Sequence, residues 1–309
     1  MERAINHYFN KNIVEQERLT GGYTYHTWLL TLSDKQKVVF RTQRDLETGG
    51  GRKIYIADIL EREKFFYENV NKNIGHICPE VYVVDSSREY YQDSFCIMEY
   101  IYGTPLNLCF NDFTNTEKSN VLVKIGEIAA QINNIQIDSN HVYVTKRGLW
   151  EEFIADRLSD RFKPLINNVI TQEESDKIVK NILDKKALNT LSFLHLDMRH
   201  VNMIYNSGHI FILDAENCEF GDPLFELAVI DVGGELFPSV VEGYKNLFSE
   251  NLHLDSDLYD YYKMERQALV LHLFMNIVKN EEELTNLYLK RFTELKTKLL
   301  VSRDTLKSA

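Results

Sequence analysis

The fold of this chain of 309 residues is decided by residues 195–222, HLDMRHVNMIYNSGHIFILDAENCEFGD. Two short apolar runs, residues 202–205 and 209–213, flank the turn signal Asn206-Ser207-Gly208, and together they predict a β-hairpin. The segments before and after this stretch have the apolar spacing of helices. The sequence therefore predicts one small hairpin within an otherwise helical part of the chain.

Three oxygen-bearing side chains mark the ends of the predicted hairpin. Asp197 lies just before the first strand, Asn202 at its start and Asp214 just past the second strand. Because a hairpin brings its two ends together, we expect these side chains to converge. Mg²⁺ prefers one or two carboxylates together with substrate phosphates, and a further carboxylate can accept a proton from an attacking hydroxyl. The pattern predicts the layout of phosphoryl transfer, with a base, an amide ligand and a metal-binding aspartate.

The rest of the chain divides into a β-rich first third and a helical remainder. Strands are predicted over residues 23–32, 37–41, 80–84 and 95–98. Helices are predicted over residues 54–70, 117–133, 149–168 and 172–188, and through most of the chain from residue 224 onward. This order predicts an α+β fold with a β-rich lobe, a short connector and a larger helical lobe.

Several motifs resemble those of the aminoglycoside phosphotransferase and choline kinase family. Residues 195–202 resemble its H-G-D-x(4)-N loop, and residues 212–216 its metal-binding I-D-[FW]-[EDG] segment. Residues 221–228 resemble its G-D-P-x-x-D-L-A continuation. Residues 19–22, LTGG, are similar to its glycine-containing nucleotide loop, and residues 95–106, FCIMEYIYGTPL, resemble the linker that receives adenine.

The resemblance covers residues 15–230 and implies a bilobal protein-kinase-like fold. It implies a nucleotide-binding lobe over residues 1–98, a hinge over 99–105 and a catalytic and substrate-binding lobe over 106–309. Asp197 would be the catalytic carboxylate, and Asn202 and Asp214 would hold Mg²⁺ against the nucleotide phosphates. Glu216 and Asp222 are candidates for the substrate side.

The resemblance also implies a set of nucleotide-binding residues in the first lobe. Arg41 stands at the end of the third strand, where protein kinases have lysine, and its fork suits phosphate. Glu63 is the expected partner of Arg41, with Glu61 as the alternative. The full set is Gly21, Gly22, Arg41, Glu63, Glu99, Tyr100 and Ile101.

The chain departs from the family pattern at three places. Leu196 replaces the usual Gly or Asn, His200-Val201 replaces Pro-Gly, and Ala215 replaces an aromatic residue. These changes bear on the conformation of the loop, whereas the catalytic polar residues are intact. The pattern therefore disfavours a protein without turnover.

The charge of the chain is concentrated in one segment. Lysine and arginine total 35 and aspartate and glutamate 46, so the net charge is −11, which argues against a nucleic-acid binder. Residues 213–260 hold twelve acids and a single lysine, and therefore carry a net −11 by themselves. This segment predicts a cationic acceptor.

The location of the protein is also predicted from composition. The four cysteines form no C-x-x-C pair, which is typical of buried thiols in a reducing compartment. The sequence has no apolar signal core at its start and no apolar run of about 20 residues. We therefore expect a cytoplasmic protein without a membrane partner.

The favoured hypothesis is a Mg²⁺-ATP-dependent O-phosphotransferase, with GTP left open as the nucleotide. The resemblance implies an aminoglycoside-like or other amine-bearing small molecule as acceptor, and with it a role in antibiotic resistance. A protein Ser/Thr kinase is the alternative, although no A-P-E-like segment occurs and only seven residues separate Asp214 from Asp222. A nucleotide-binding regulatory module is the third hypothesis. Oligomeric state is not predicted.

Overall fold

The chain forms two compact units in the computed structural model. The first comprises Met1–Val121 and Asp197–Cys218, and the second Leu122–Leu196 and Glu219–Ala309. The boundary between Leu196 and Asp197 falls inside the stretch that predicted the fold. The structure describes residues 1–19, 25–43, 56–137, 149–185, 191–235, 237–248, 252–276, 278 and 281–301.

The first unit is built on a five-stranded antiparallel sheet with strand order β1-β2-β3-β5-β4. The strands are β1 (Ile13–Leu19), β2 (Tyr25–Leu32), β3 (Lys37–Gln43), β4 (Val81–Asp85) and β5 (Phe95–Glu99). Four of them lie where the sequence predicts strands. β1 was not predicted as a strand, because its sequence IVEQERL is mostly polar and most of its residues are exposed.

The two faces of this sheet are covered by different helices, α1 (Glu2–Phe9) and α2 (Ile56–Ile74). Val38 and Phe40 of β3 belong to one buried cluster with Ala4 and Ile5 of α1. Val39 packs against a second cluster, which includes Ile59 and Leu60 of α2. Because strand side chains alternate between faces, Arg41 lies on the α2 side of the sheet.

The predicted hairpin is present in the first unit as β8 (Met203–Asn206) and β9 (His209–Ile212), and β8 also pairs with β6 (Thr104–Pro105). The backbone N–H of Leu213 donates to the carbonyl of Asn202 at 2.8 Å, which joins the two ends of the hairpin. Two 3₁₀ helices, His200–Asn202 and Ala215–Asn217, flank these ends. Elsewhere in this unit, β6 is followed by α3 (Leu106–Cys109) and by the 3₁₀ helix Phe110–Asp112.

The second unit is mainly helical and contains one two-stranded sheet. Its elements are α4 (Asn115–Asn133, whose first turns belong to the first unit), α5 (Trp150–Phe162), α6 (Gln172–Ile182), β7 (Ser192–Leu194), β10 (Glu219–Gly221), α7 (Pro223–Val232), α8 (Pro238–Leu247), α9 (Asp257–Asn276) and α10 (Glu282–Val301). In the described part of the chain, no helix combines the length and the apolar character that crossing a membrane requires.

Two predicted helices end earlier than their apolar spacing suggested. The helix predicted over residues 149–168 ends at Phe162 and continues only as a 3₁₀ turn, Lys163–Leu165. Pro164 lies in that turn and lacks the N–H that an α-helix would need. The helix predicted over residues 172–188 ends at Ile182, and residues 186–190 lie outside the described residues.

Candidate active site

A buried ion pair joins β3 to α2. The Nη1 atom of Arg41 donates to both carboxylate oxygens of Glu63, at 2.8 and 3.0 Å. Glu63 is 1% exposed and Arg41 8% exposed, so this pair is shielded from water. Glu61, the alternative partner, is exposed on the same helix. The structure therefore pairs Arg41 with Glu63.

The same guanidinium reaches the residue that follows the hairpin. Nη2 of Arg41 donates to Oδ1 of Asp214 at 3.1 Å, so one arginine contacts both Glu63 and Asp214. Burial lowers the pKa of Arg41, but Glu63 and Asp214 outweigh this effect and hold it well above its ordinary value. Arg41 also stacks on the ring of Tyr25, with 4.0 Å from Cζ to the ring centroid. Its position is thus set from three sides.

Asp214 has an unusual backbone conformation. Its φ is 63° and its ψ 55°, in the left-handed region that residues with a Cβ adopt at a cost. The backbone N–H of Asp214 donates to the hydroxyl of Tyr67 on α2 at 2.7 Å. The Asp214 side chain is 37% exposed, and it lines a cavity of about 270 Å³.

Asp197 and Asn202, which lie where the chain enters the hairpin, are hydrogen-bonded to each other. The Nδ2 atom of Asn202 donates to Oδ2 of Asp197 at 2.9 Å and to its backbone carbonyl at 3.0 Å. Arg199 donates to both carboxylate oxygens of Asp197, from Nε at 2.6 Å and Nη2 at 2.9 Å. This bidentate pair fixes the plane of the Asp197 carboxylate. Both Asp197 and Asn202 are buried.

The residues present suit Mg²⁺ together with a nucleotide. The amide nitrogen of Asn202 donates its hydrogen bonds to Asp197. The Oδ1 atom of Asn202 is therefore the side-chain atom that can act as a metal ligand. Asn202 and Asp214 both line the 270 Å³ cavity. Within the described ranges, no three His, Cys, Asp or Glu side chains form a metal site by themselves. An amide oxygen and a carboxylate, completed by phosphate oxygens, match the ligands that Mg²⁺ takes at nucleotide sites.

The predicted linker also lines this cavity. Glu99, Tyr100 and Ile101 line it together with Arg41 and Tyr25. The side chain of Glu99 is held in place, because its Oε2 atom accepts the backbone N–H of Glu80 at 3.1 Å and lies 2.6 Å from Nε2 of His76. The predicted nucleotide-loop glycines, Gly21 and Gly22, lie outside the described residues.

The two predicted substrate-side residues lie in different surroundings. Glu216 belongs to the first unit, in the turn after Asp214, and its charge is among the causes that raise the pKa of Tyr25, of which burial is the largest. Asp222 belongs to the second unit and is fully buried. Its Oδ1 atom caps α7 by accepting the N–H of Leu224 at 2.9 Å, and Oδ2 accepts the hydroxyl of Tyr262 at 3.0 Å. These contacts favour a structural part for Asp222, and its substrate-side role stays a prediction.

Sequence reasoning missed two residues of this site, Arg199 and Tyr67. Arg199 follows Asp197 by two positions, and a cation so close to a proposed catalytic carboxylate was a usable signal. Tyr67 follows Glu63 by four positions, which places both on one face of α2. Its hydroxyl contacts the Asp214 backbone, and only the tertiary structure reveals that contact.

Solved structures with the same fold cover nearly the whole chain. A protein assigned as a fructosamine-3-kinase from Haemophilus somnus 129PT has a TM-score of 0.70 at 16% identity, with 97% of this chain and 96% of that chain covered. A thermostable mutant of the aminoglycoside phosphotransferase APH(4)-Ia has a TM-score of 0.68 at 16% identity, with 96% and 99% covered. A streptomycin-ATP complex of APH(2″)-IIa has 0.64 at 15% identity, with 95% and 96% covered. The predicted α+β, protein-kinase-like fold is confirmed.

The family follows from the sequence itself. The profile of the phosphotransferase enzyme family matches residues 15–255, and the chain belongs to that family. No curated protein sequence is significantly similar to the chain. The prediction that this protein is an enzyme, a small-molecule phosphotransferase, is confirmed at this level.

Proposed function

We propose that this protein is a Mg²⁺-ATP-dependent O-phosphotransferase that transfers the γ-phosphate to a hydroxyl of a small, amine-bearing molecule. The observation that carries the proposal is the arrangement at the 270 Å³ cavity. There, Arg41 is held by Glu63 and contacts Asp214, and Asn202 and Asp214 share one lining. A cation and two oxygen ligands around one cavity are what a metal-bound nucleotide triphosphate needs.

The residues divide the chemistry between them. Arg41 would contact the α- and β-phosphates. Asn202 and Asp214 would hold Mg²⁺, which when bound would supply neutralisation of the phosphate charge. Asp197, whose plane Arg199 fixes, orients the acceptor hydroxyl and takes its proton as the new oxygen–phosphorus bond forms. The bond between the γ-phosphorus and the bridging oxygen breaks, and the nucleoside diphosphate leaves.

The nucleotide base is assigned to the linker. Glu99, Tyr100 and Ile101 line the same cavity as Arg41, and backbone groups at such a linker read the base. We assign Gly21 and Gly22 to the phosphates, and keep residues 1–98, 99–105 and 106–309 as nucleotide lobe, hinge and catalytic lobe. Solved neighbours named as ATP, ADP and GDP complexes support a nucleotide here and keep both ATP and GTP open.

Two observations indicate the class of acceptor: the kinds of enzyme among the structural neighbours, and the charge of the chain. The solved neighbours include aminoglycoside phosphotransferases and proteins assigned as fructosamine-3-kinases, and their named substrates are amine-bearing sugars. The acidic segment over residues 213–260 would attract such a cation. The two observations converge on an amine-bearing polyol, and the aminoglycosides place antibiotic resistance among the roles to test.

Transfer to a panel of acceptors tests the proposal. Single-turnover reactions with γ-labelled ATP and Mg²⁺ would use amino sugars, amino alcohols, macrolides and a generic protein substrate. We expect label on an amine-bearing small molecule, and a fall of about 10³-fold in Asp197→Asn, because the positioned carboxylate is lost. Asp156→Asn changes an exposed aspartate of α5 and should retain the wild-type rate. Label on the protein substrate, or equal rates in wild type and Asp197→Asn, would overturn the proposal.

A further inference from the structure

Tyr67 closes a hydrogen-bonded ring of four residues and, with Arg41 and Asp214, lines the cavity of the proposed nucleotide site. Its hydroxyl donates to Oε1 of Glu63 at 2.7 Å. It accepts the backbone N–H of Asp214 at 2.7 Å and, more weakly, that of Ala215 at 3.4 Å. Glu63 binds Arg41, and Arg41 binds Asp214. The ring therefore returns to the residue where it began.

The direction of these hydrogen bonds is fixed by chemistry. A tyrosine hydroxyl has one proton, the two backbone amides can only donate, and the Glu63 carboxylate can only accept. Tyr67 must therefore give its proton to Glu63 and use its oxygen for Asp214 and Ala215. Burial and the Glu63 charge raise the pKa of Tyr67 well above its ordinary value, so it keeps that proton. Tyr67 is 1% exposed, so bulk water has little access to these hydrogen bonds.

The backbone that Tyr67 holds is the one in the left-handed conformation. Asp214 has φ 63°, a left-handed conformation that costs free energy for residues with a Cβ, although less for aspartate and asparagine than for other types, and surrounding contacts offset that cost. The N–H of Asp214 points to the Tyr67 hydroxyl, while its carboxylate meets Arg41. The Tyr67 hydroxyl thus holds the backbone N–H of Asp214, and the Arg41 guanidinium holds its carboxylate.

A departure from the family pattern fits the same contact. Ala215 stands where the resemblance predicts an aromatic residue, and it is fully buried. An aromatic side chain is nevertheless next to this backbone, because the Tyr67 hydroxyl lies 3.4 Å from the Ala215 nitrogen. The aromatic ring comes from α2 rather than from the metal-binding segment.

We propose that Tyr67 is a positioning residue whose hydroxyl holds Asp214 in the conformation that presents its carboxylate to Mg²⁺. The inference rests on the proposed function, in which Asp214 is a metal ligand. Tyr67 also lines the cavity, but its hydroxyl is engaged by Glu63 and by the backbone of Asp214 and Ala215, so it acts through the Asp214 backbone. Without the hydroxyl, Asp214 loses the partner of its N–H, whereas Arg41 keeps both of its bonds to Glu63. Binding of the metal-bound nucleotide should therefore weaken more than binding of the free nucleotide.

Calorimetric ATP binding with Mg²⁺ and with EDTA tests this difference in the full chain. We expect Tyr67→Phe to weaken ATP binding about tenfold with Mg²⁺ and less than twofold with EDTA. Tyr244→Phe is the matched control, because Tyr244 is also fully buried and donates its hydroxyl to a side chain, Oδ1 of Asn133 at 2.6 Å, in the second unit. Both variants should lower Tm, and Tyr244→Phe should bind ATP as the wild type does in both buffers.

A double-mutant cycle separates positioning from a general structural effect. In the Asp214→Asn background, Tyr67→Phe should have no further effect on the ratio of ATP affinities with Mg²⁺ and with EDTA. Equal weakening in both buffers, no weakening, or an unchanged effect in that background would overturn the role of Tyr67. A wild type that binds ATP no better with Mg²⁺ than with EDTA would instead overturn the proposed function, so the two failures are distinguishable.

Discussion

Leu196 has a left-handed backbone conformation, with φ 61°, although it is a branched residue with a fully buried side chain. Its backbone N–H donates to both oxygens of Glu226, at 3.0 and 3.1 Å, and Arg266 donates to its carbonyl. Glu226 is itself fully buried. These partners compensate for the conformational cost of a Cβ at this position, which is about 1–2 kcal/mol.

We expect Leu196→Gly to destabilise the protein by about 2–4 kcal/mol, because two effects oppose each other. Glycine relieves the left-handed conformation by about 1 kcal/mol, but loss of a fully buried leucine costs roughly 3–5 kcal/mol. Urea unfolding measures the net change. Asn167→Gly is the control, because Asn167 has φ 67° but is exposed, and it should be neutral or slightly stabilising. A stabilised Leu196→Gly would refute this account.

The sequence predicted the positions of the polar residues in this loop better than the backbone conformation of the loop. Asp197, Asn202 and Asp214 were placed at the hairpin ends because spacing and turn chemistry are local properties. Leu196 was recognised as a departure, but its conformation depends on Glu226, which lies thirty positions further along the chain. A hydrogen bond between residues so far apart in the sequence cannot be predicted from a local sequence pattern.

At the scale of elements, α5 and α9 are joined by a buried carboxylate. Oε1 of Glu265 accepts from Nε of Arg157 at 2.9 Å and from Nε of Arg161 at 3.2 Å. Burial raises the pKa of Glu265, but Arg157, Arg161 and Arg266 outweigh it and lower that pKa to about 2. Because the carboxylate is more acidic in the folded state than in the unfolded chain, it stabilises the protein above pH 4.5. That contribution is lost as the pH falls from about 4.5 towards 2.

Glu265→Gln should be less stable than the wild type by about 3–5 kcal/mol at pH 7, because buried arginines lose their counter-charge. The difference should shrink by about 2 kcal/mol between pH 7 and pH 3, since the wild type loses its advantage over that range. Urea unfolding across this pH range measures both quantities. Glu152→Gln, an exposed change on α5, should show a small difference at every pH. A difference in stability between the wild type and Glu265→Gln that does not change with pH would contradict the lowered pKa of Glu265.

The existence of most elements was predictable, whereas their contacts were not. Apolar spacing located α2 and most helices of the second unit, since periodicity reports the buried face. The glycines inside α4 and α8 gave no such signal. A Cβ at Gly126 would lie 2.0 Å from the Val240 carbonyl oxygen, and one at Gly243 would lie 2.0 Å from that of Val123. These glycines allow the two backbones to approach, and this reason appears only when the helices are packed.

At the scale of the whole molecule, the structure divides the acidic segment into internal and surface charge. Glu219, Asp222, Glu226 and Asp260 are buried. Glu242 and Asp255 are exposed, and Glu250 lies outside the described residues. Composition alone gave the net charge of the segment, but which acids reach solvent depends on the packing of the helices.

Reversal of the exposed acids tests whether this charge attracts the acceptor. We expect Glu242→Lys with Asp255→Lys to raise the KM for a cationic acceptor roughly two- to fivefold at low salt, because attraction becomes repulsion. The effect should disappear near 0.5 M salt, where screening is strong. Steady-state kinetics at several ionic strengths measure it. Glu152→Lys with Glu173→Lys reverses two exposed acids elsewhere in the second unit and should leave KM nearly unchanged. An unaltered KM in the first variant would remove the argument for a cationic acceptor.

The small hairpin provides a position for a fluorescent label that reports on the proposed nucleotide site. Its turn, at Ser207 and Gly208, is exposed and has positive φ at both residues, while its other end joins Asn202 to Leu213. Three of the four native cysteines, Cys78, Cys96 and Cys218, are buried. A fluorophore attached through Ser207→Cys would therefore sit at the outer end of the element whose inner end carries the proposed metal ligands. Its emission would follow occupancy in real time, before any acceptor has been identified.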